Sequence, residues 1–150
     1  MIEYIMATKD DIDLLMSSRL EMLRVVNNLS DDYGFREELI SCSREYFLNG
    51  DQTTVLALDE DKVIGCASMS YILIMPTYSH PTGKRAHLMN VYTNCNYRRQ
   101  GIARKMVSML IDDARDNGAT EISLDATQSG RPLYESLGFG QNKECMNLIL

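Results

Sequence analysis

An α/β (α+β) fold, one mixed sheet flanked by helices in a single domain over residues 1–150, is what this chain predicts. Three observations carry the expectation. Segments of strand period and of helix period follow one another as strand, two helices, three strands, helix, strand, helix, strand. A length of 150 residues suits one domain with its own core. A basic glycine turn, Arg98-Arg99-Gln100-Gly101-Ile102-Ala103-Arg104, joins the strand-like Ala86 to Thr93 to the most regular helical stretch.

The elements justify themselves in order. Ile2 to Ala7 reads as a first strand. Thr8 opens a turn, and Asp10 or Asp11 is placed to cap a helix whose apolar residues Ile12, Leu15, Met16, Leu20, Leu23 and Val26 recur at helical spacing. After the polar break Asn27 to Asp32, a second helix is expected from about Asp32 to Leu48. Phe35, Leu39, Cys42 or Ser43, and Tyr46 line one side of it, and Asn49-Gly50 stops it. Thr53 to Leu58 and Val63 to Tyr71 read as strands joined by the turn Asp59-Glu60-Asp61-Lys62, the second extending toward Ile74. Pro76 to Lys84 forms a loop bordering the site.

Ala86 to Thr93 is the fourth strand. The helix from about Gln100 carries the stripe Ile102, Ala103, Met106, Val107, Leu110, Ile111 and Ala114, and ends at Asn117-Gly118. Glu121 to Ala126 is a fifth strand, Arg131 to Leu137 a short helix opened by Pro132, and Lys143 to Leu150 a sixth strand.

Composition narrows the function classes. With 45% apolar and 24% charged residues, the chain has the make-up of a soluble globular protein. A net charge of -6 makes its surface repel nucleic acid and anionic membranes, so neither is an expected partner. The first residues lack the basic start and apolar core of a signal peptide, and no apolar run has the length of a membrane span, so a cytoplasmic location is expected. Cys42, Cys66, Cys95 and Cys145 show no ligand spacing with His80 or His87. Free, mostly buried thiols and no metal are expected.

The basic turn is the first chemical signal. The opening amides of a helix have no intrahelical partner, and the helix dipole adds about half a positive charge there. A pyrophosphate accepts from such amides. Gly101 keeps the backbone bare for close approach, and Arg98, Arg99 and Arg104 supply charge-assisted contacts. Standing alone, the same residues equally describe a solvated helix start.

Their surroundings add to this. The spacing Arg-x-x-Gly-x-Ala at Arg98, Gly101 and Ala103 resembles the acyl-CoA signature of the GNAT N-acetyltransferases, and Asn90 to Tyr97 resembles the strand and loop that precede it. Leu133-Tyr134-Glu135-Ser136-Leu137-Gly138-Phe139 resembles that family's second hallmark, a short helix with a tyrosine that ends in Gly-Phe. The resemblance implies a mostly antiparallel mixed sheet and acetyl-CoA as cosubstrate. It also implies phosphate binding along Arg98, Arg99, Gln100, Gly101, Ile102, Ala103 and Arg104, and main-chain groups of Val91, Tyr92 and Thr93 on the pantetheine arm.

For chemistry, the resemblance implies that Tyr134 faces the sulfur of CoA, where a phenol protonated at neutral pH donates to a leaving thiolate. His87 stands where some members carry a catalytic glutamate; Asp125 on the next strand is its rival as base, and a chain of waters a third option. Thr127 replaces an asparagine that often contacts pantetheine, and Gly130 replaces a usual alanine. Arg19, Glu21 and Arg24 on the first helix are candidates for acceptor contacts beside the reading of a solvated face. The implied reaction is acetyl transfer to an amine of a small molecule or peptide by direct attack. A noncatalytic acyl-CoA-binding module is the alternative, and the resemblance leaves a homodimer open.

Overall fold

A computed structural model describes residues 1–150 throughout. The elements are β1 (Ile2–Met6), α1 (Ile12–Val26), α2 (Glu37–Asn49), β2 (Gln52–Asp59), β3 (Lys62–Leu73), β4 (Lys84–Thr93), α3 (Ile102–Asp116), β5 (Ile122–Leu124) and α4 (Arg131–Ser136). Short 3-10 turns at Lys9–Asp11 and Cys95–Tyr97 lead into α1 and α3. The five strands lie in sequence order, antiparallel from β1 to β4, with β5 parallel to β4. A parallel neighbour requires a crossover, and α3 supplies it.

The alternation of the strands divides the core into two layers. Val55 and Ala57 of β2, Ala67 and Met69 of β3, and Ala86 and Leu88 of β4 meet Ile102, Met106, Val107 and Leu110 of α3 on one face. Leu56, Leu58, Cys66 and Tyr92 meet Leu15 and Met16 of α1 and Phe47 of α2 on the other. Gly65 sets how closely α3 seats. A β-carbon there would lie 2.9 Å from the Tyr92 carbonyl oxygen and 3.2 Å from the Met106 methyl. Tyr71 donates a short hydrogen bond to Asp113, tying the end of β3 to the last turns of α3.

The structure corrects several expectations. Asp11 stands at the N-cap of α1 as expected but makes no side-chain bond to that helix; it works with Thr8 in a capping box one turn earlier, where the Thr8 hydroxyl accepts from the Asp10 amide and the Asp11 carboxylate accepts from the Thr8 amide. The second helix starts at Glu37, because Phe35 is held outside it by Tyr33 edge-on at 5.2 Å and by the Arg24 guanidinium 4.9 Å over its ring. That helix buries Phe47, while Leu39 faces out. The fifth strand has only three residues.

The sixth strand does not form. A strand needs a neighbour for its amides and carbonyls, and Lys143 to Leu150 lie beside none, with Met146, Leu148, Ile149 and Leu150 exposed. Of the four free thiols only Cys66 is buried; Cys42 on α2 is exposed, and Cys95 and Cys145 lie outside the sheet and helices that build the core. The Pro76 to Gly83 loop docks through His80 Nδ1 on Thr120 Oγ1 at 2.7 Å, beside the start of β4.

Gly65→Ala tests the seating of α3. Its added methyl meets backbone, so about 1–3 kcal/mol of stability should be lost, with the urea midpoint lowered at unchanged slope.

Candidate functional site

β4 and β5 pair over only three positions, Ala86 with Ile122, His87 with Ser123 and Leu88 with Leu124. β4 continues to Thr93, so its β5-facing edge from Met89 to Thr93 has no strand beside it. On its other edge β4 bulges. Ser68 pairs with Met89 and Cys66 with Tyr92, which leaves Asn90 and Val91 opposite the single residue Ala67.

Asn90 takes the bulge position with φ 59, a left-handed conformation that asparagine tolerates better than most residues. A buried chain of donors holds it. Arg19 Nη1 donates to Asn90 Oδ1 at 3.1 Å, and Asn90 Nδ2 donates to Ser68 Oγ at 3.2 Å. The Thr54 hydroxyl donates to Gln52 Oε1 at 2.7 Å, so Ser68 donates in turn to Thr54 Oγ1, also at 2.7 Å. The Cys66 thiol, pushed up to about 12 by burial, donates to the Asn90 carbonyl at 3.4 Å. Each polar group of the bulge is thus paired, as burial demands.

The open edge leads to the basic turn. Arg99 at φ 64 and Gly101 at φ 79 bring two left-handed residues into three ahead of α3. A β-carbon at Gly101 would meet nothing within 4 Å, so glycine serves the backbone conformation there and not the packing. The amides of Ile102, Ala103 and Arg104 find no acceptor in the chain, and no side chain caps the helix. The Ile102 side chain is buried in the core and Ala103 is half-buried, leaving their amides for outside contact.

Among the side chains, Arg98 Nε donates to the Thr93 carbonyl at 3.2 Å, Arg99 and Gln100 are exposed, and Arg104 donates to Ser136 of α4. Thr93 Oγ1 is buried without a partner, and Val91 packs against the α3 layer. Tyr92 points to the α1 side, where its hydroxyl donates to Glu21 at 3.2 Å and is pushed up to about 12 by burial and that carboxylate. The bare helix amides and the unpaired strand edge follow one another along the chain, an arrangement suited to a long ligand with an anionic end.

Tyr134 on α4 is half-buried, packs edge-on to Phe139 at 5.9 Å, and has its pKa raised by burial. No protein group is within hydrogen-bond reach of its hydroxyl. Gly130 makes room for the ring, since a β-carbon there would lie 3.0 Å from it and 3.2 Å from Thr127 Oγ1. Thr127 accepts from the Gly130 amide at 3.1 Å and so shapes the turn into α4.

His87 faces the α1/α2 side of the sheet, two residues before Met89. Ser123 Oγ lies 2.7 Å from its Nδ1 and 3.5 Å from the Ala86 carbonyl; with the serine hydroxyl turned to that carbonyl, Nδ1 carries the ring proton and Nε2 is the basic nitrogen. Asp125 Oδ2 stands 3.8 Å from Nε2. The two rival bases are therefore neighbours.

Above the bulge on the same face lies a pocket of about 240 Å³, lined by Arg19, Tyr46, Phe47, Ser68, Met89 and Asn90 among others. Of the three charged candidates on α1, Arg19 alone lines it. Glu21 receives Tyr92, and Arg24 stacks on Phe35. Sequence reasoning missed Asn90, Ser68 and Ser123. An asparagine in mid-strand, where its β propensity is poor, was the one available signal. A larger hollow of about 360 Å³ between the end of α3 and Phe139 is lined by none of the site residues.

Comparison with known proteins places this arrangement. The model of the acetyltransferase (GNAT) family matches residues 20–139. Human N-acetyltransferase 8 is 34% identical over 97 residues, covering 61% of this chain and 41% of its own. The glucosamine 6-phosphate N-acetyltransferase of Trypanosoma brucei brucei is 27% identical over 89 residues, 59% of this chain and 58% of its own. The matches thus span about half the length of these curated relatives. A predicted acetyltransferase from Clostridium acetobutylicum, crystallised with acetyl-CoA, superposes with a TM-score of 0.87 at 29% identity over 99% of this chain and 96% of that one. With 120 of its 150 residues under the family model, the chain belongs to the acetyltransferase (GNAT) family.

Proposed function

We propose that the chain is an N-acetyltransferase that moves an acetyl group from acetyl-CoA to a primary amine of a small molecule or peptide by direct attack, both substrates being bound together. The observation that carries this reading is the splay of β4 from β5, which runs as an open strand edge from Met89 to the uncapped start of α3. The relative crystallised with acetyl-CoA supports the cosubstrate, and relatives named for glucosamine 6-phosphate and thialysine support an amine acceptor.

Acetyl-CoA supplies the activated acetyl thioester. The amides of Gly101 to Arg104, with Arg98, Arg99 and Gln100 beside them, bind its pyrophosphate. Main-chain groups of Val91, Tyr92 and Thr93 hold the pantetheine arm, and the Val91 amide stabilises negative charge developing on the thioester oxygen. Thr127, spent on the turn into α4, contributes there through its exposed position beside Tyr134.

Tyr134 keeps its proton at neutral pH and holds it for a departing thiolate. His87, oriented by Ser123, takes the proton of the acceptor ammonium at Nε2, with Asp125 placed to stabilise the charged ring.

Three outcomes are expected. Calorimetric titration should show acetyl-CoA binding, weakened for CoA without its 3'-phosphate; absence of any binding would remove the phosphate reading altogether. Tyr134→Phe should bind acetyl-CoA within about threefold of the parent yet lose about 10²-fold or more in kcat. Normal binding with no thiol release from any amine in a broad panel would instead favour the noncatalytic acyl-CoA module. Because burial raises the Tyr134 pKa above its ordinary value near 10, the phenol stays protonated over the working range. Activity should therefore not fall from its ionisation below about pH 10.

His87→Ala should lose about 10²-fold in kcat at pH 7, and the deficit should shrink as the pH approaches about 10, where an alkylamine sheds its own proton. A deficit independent of pH would assign His87 to structure alone.

A further inference from the structure

The pocket over the Asn90 bulge holds a charge that the chain does not neutralise. Arg19 forms no ion pair; the seven in the molecule all lie elsewhere. Charged or titratable groups that act on it are the Cys66 thiol and the Tyr46 phenol, and burial raises the pKa of both, so both are neutral at pH 7. Burial itself works against the guanidinium, lowering its pKa from the ordinary value. An acidic protein of net charge -6 has thus set an unbalanced cation into a pocket wall.

The guanidinium is also half used. Nη1 donates to Asn90 Oδ1 at 3.1 Å and approaches the Met22 sulfur at 3.6 Å. Nε and Nη2 have no acceptor in the chain, and neither is sealed from outside access. The bond to Asn90 pins the plane of the group, leaving one edge of a rigid fork open. Such an edge matches the two oxygens of a carboxylate or phosphate. The pocket's volume of about 240 Å³ equals about eight waters, room for a small amine and not for a folded partner. The rest of its wall, with Phe47 and Met89, suits an apolar stem, and His87 stands two residues from Met89 on the same sheet face.

We infer that the acceptor amine carries an anionic oxygen group, a carboxylate or a phosphate, that docks on the free edge of Arg19 in the pocket between α1, α2 and β4. The inference rests on the transferase reading for the identity of its ligand as an acceptor, but the binding itself does not need turnover. The anion anchors one end of the molecule, the apolar wall covers its stem, and the amine reaches toward His87.

The test pairs each anionic amine with its neutral counterpart: lysine with 1,5-diaminopentane, and phosphoethanolamine with ethanolamine. Cys42 lines this pocket and is exposed, so its alkylation by iodoacetamide, read by peptide mass spectrometry against Cys145 in the distant tail, reports occupancy without catalysis. Lysine or phosphoethanolamine should slow Cys42 alkylation at least threefold at a concentration where its counterpart does nothing. Arg19→Gln should abolish that difference. Protection by lysine alone identifies the carboxylate source, and by phosphoethanolamine alone the phosphate source.

In thiol-release assays the anionic member should have the lower KM. Arg19→Gln should raise that KM about 10- to 100-fold and bring it level with that of the neutral member, whereas mere loosening of the bulge would impair both members of a pair alike. Arg19→Lys, which keeps the charge without the fork, should recover part of the protection. Equal protection within each pair, no protection by either anion, or discrimination that survives in Arg19→Gln overturns the inference. Protection without thiol release from any amine leaves the anion site standing and removes the transferase reading.

Discussion

The bulge at Asn90 is the constraint on which the rest of the site depends. One residue too many on β4 forces a left-handed backbone at φ 59, a conformation that persists only when its surroundings hold it. Here the holding groups come from α1, β2 and β3: Arg19, Thr54, Ser68 and Cys66. Because donors point in one direction along the chain from Arg19 to Gln52, each bond polarises the next, and removal of any member leaves a buried group unpaired. The bulge sits where β5 ceases to accompany β4. It therefore joins an interrupted ladder on one edge to an open slot on the other.

The two faces of the sheet divide the work. The α3 face has an almost wholly apolar core, and the helix is seated by Gly65 so that its uncapped amides stand at the end of the open edge. The α1/α2 face is the polar one. It carries the bulge network, the Arg19 pocket, and His87 with Ser123 and Asp125 behind it. Tyr134, on α4, packs with the α3 layer and edge-on to Phe139. The α3 face thus presents free backbone groups at the helix start, and the α1/α2 face presents polar side chains.

Much of this was legible in the chain. The stripe from Ile102 to Ala114 gave α3, since a helix repeats its buried face locally, and Gly101 marked its start because few other residues adopt its backbone conformation. Tyr134 and Phe139 lie close together in sequence and pack as neighbours. Other features were not legible, because they are made by residues far apart. Arg19 and Asn90 are separated by 71 positions, and His87 and Ser123 by 36. Read on α1 alone, Arg19 was indistinguishable from Arg24, which instead stacks on Phe35. The apolar run at Met146 to Leu150 had strand propensity, but propensity cannot supply a neighbouring strand.

The sequence by itself determined the order of the elements as far as α4, the mixed sheet flanked by helices, the basic glycine turn that opens α3 and the family to which these belong. Those follow from local period and local backbone preference, which act within a few residues. Only the tertiary structure decided that Asn90 bulges, that His87 and Asp125 stand side by side, and that Arg19 faces a pocket with half its fork free. Each of these is a matter of which distant groups are left paired or unpaired when the sheet closes, and hydrogen bonding and charge compensation are settled by proximity in space.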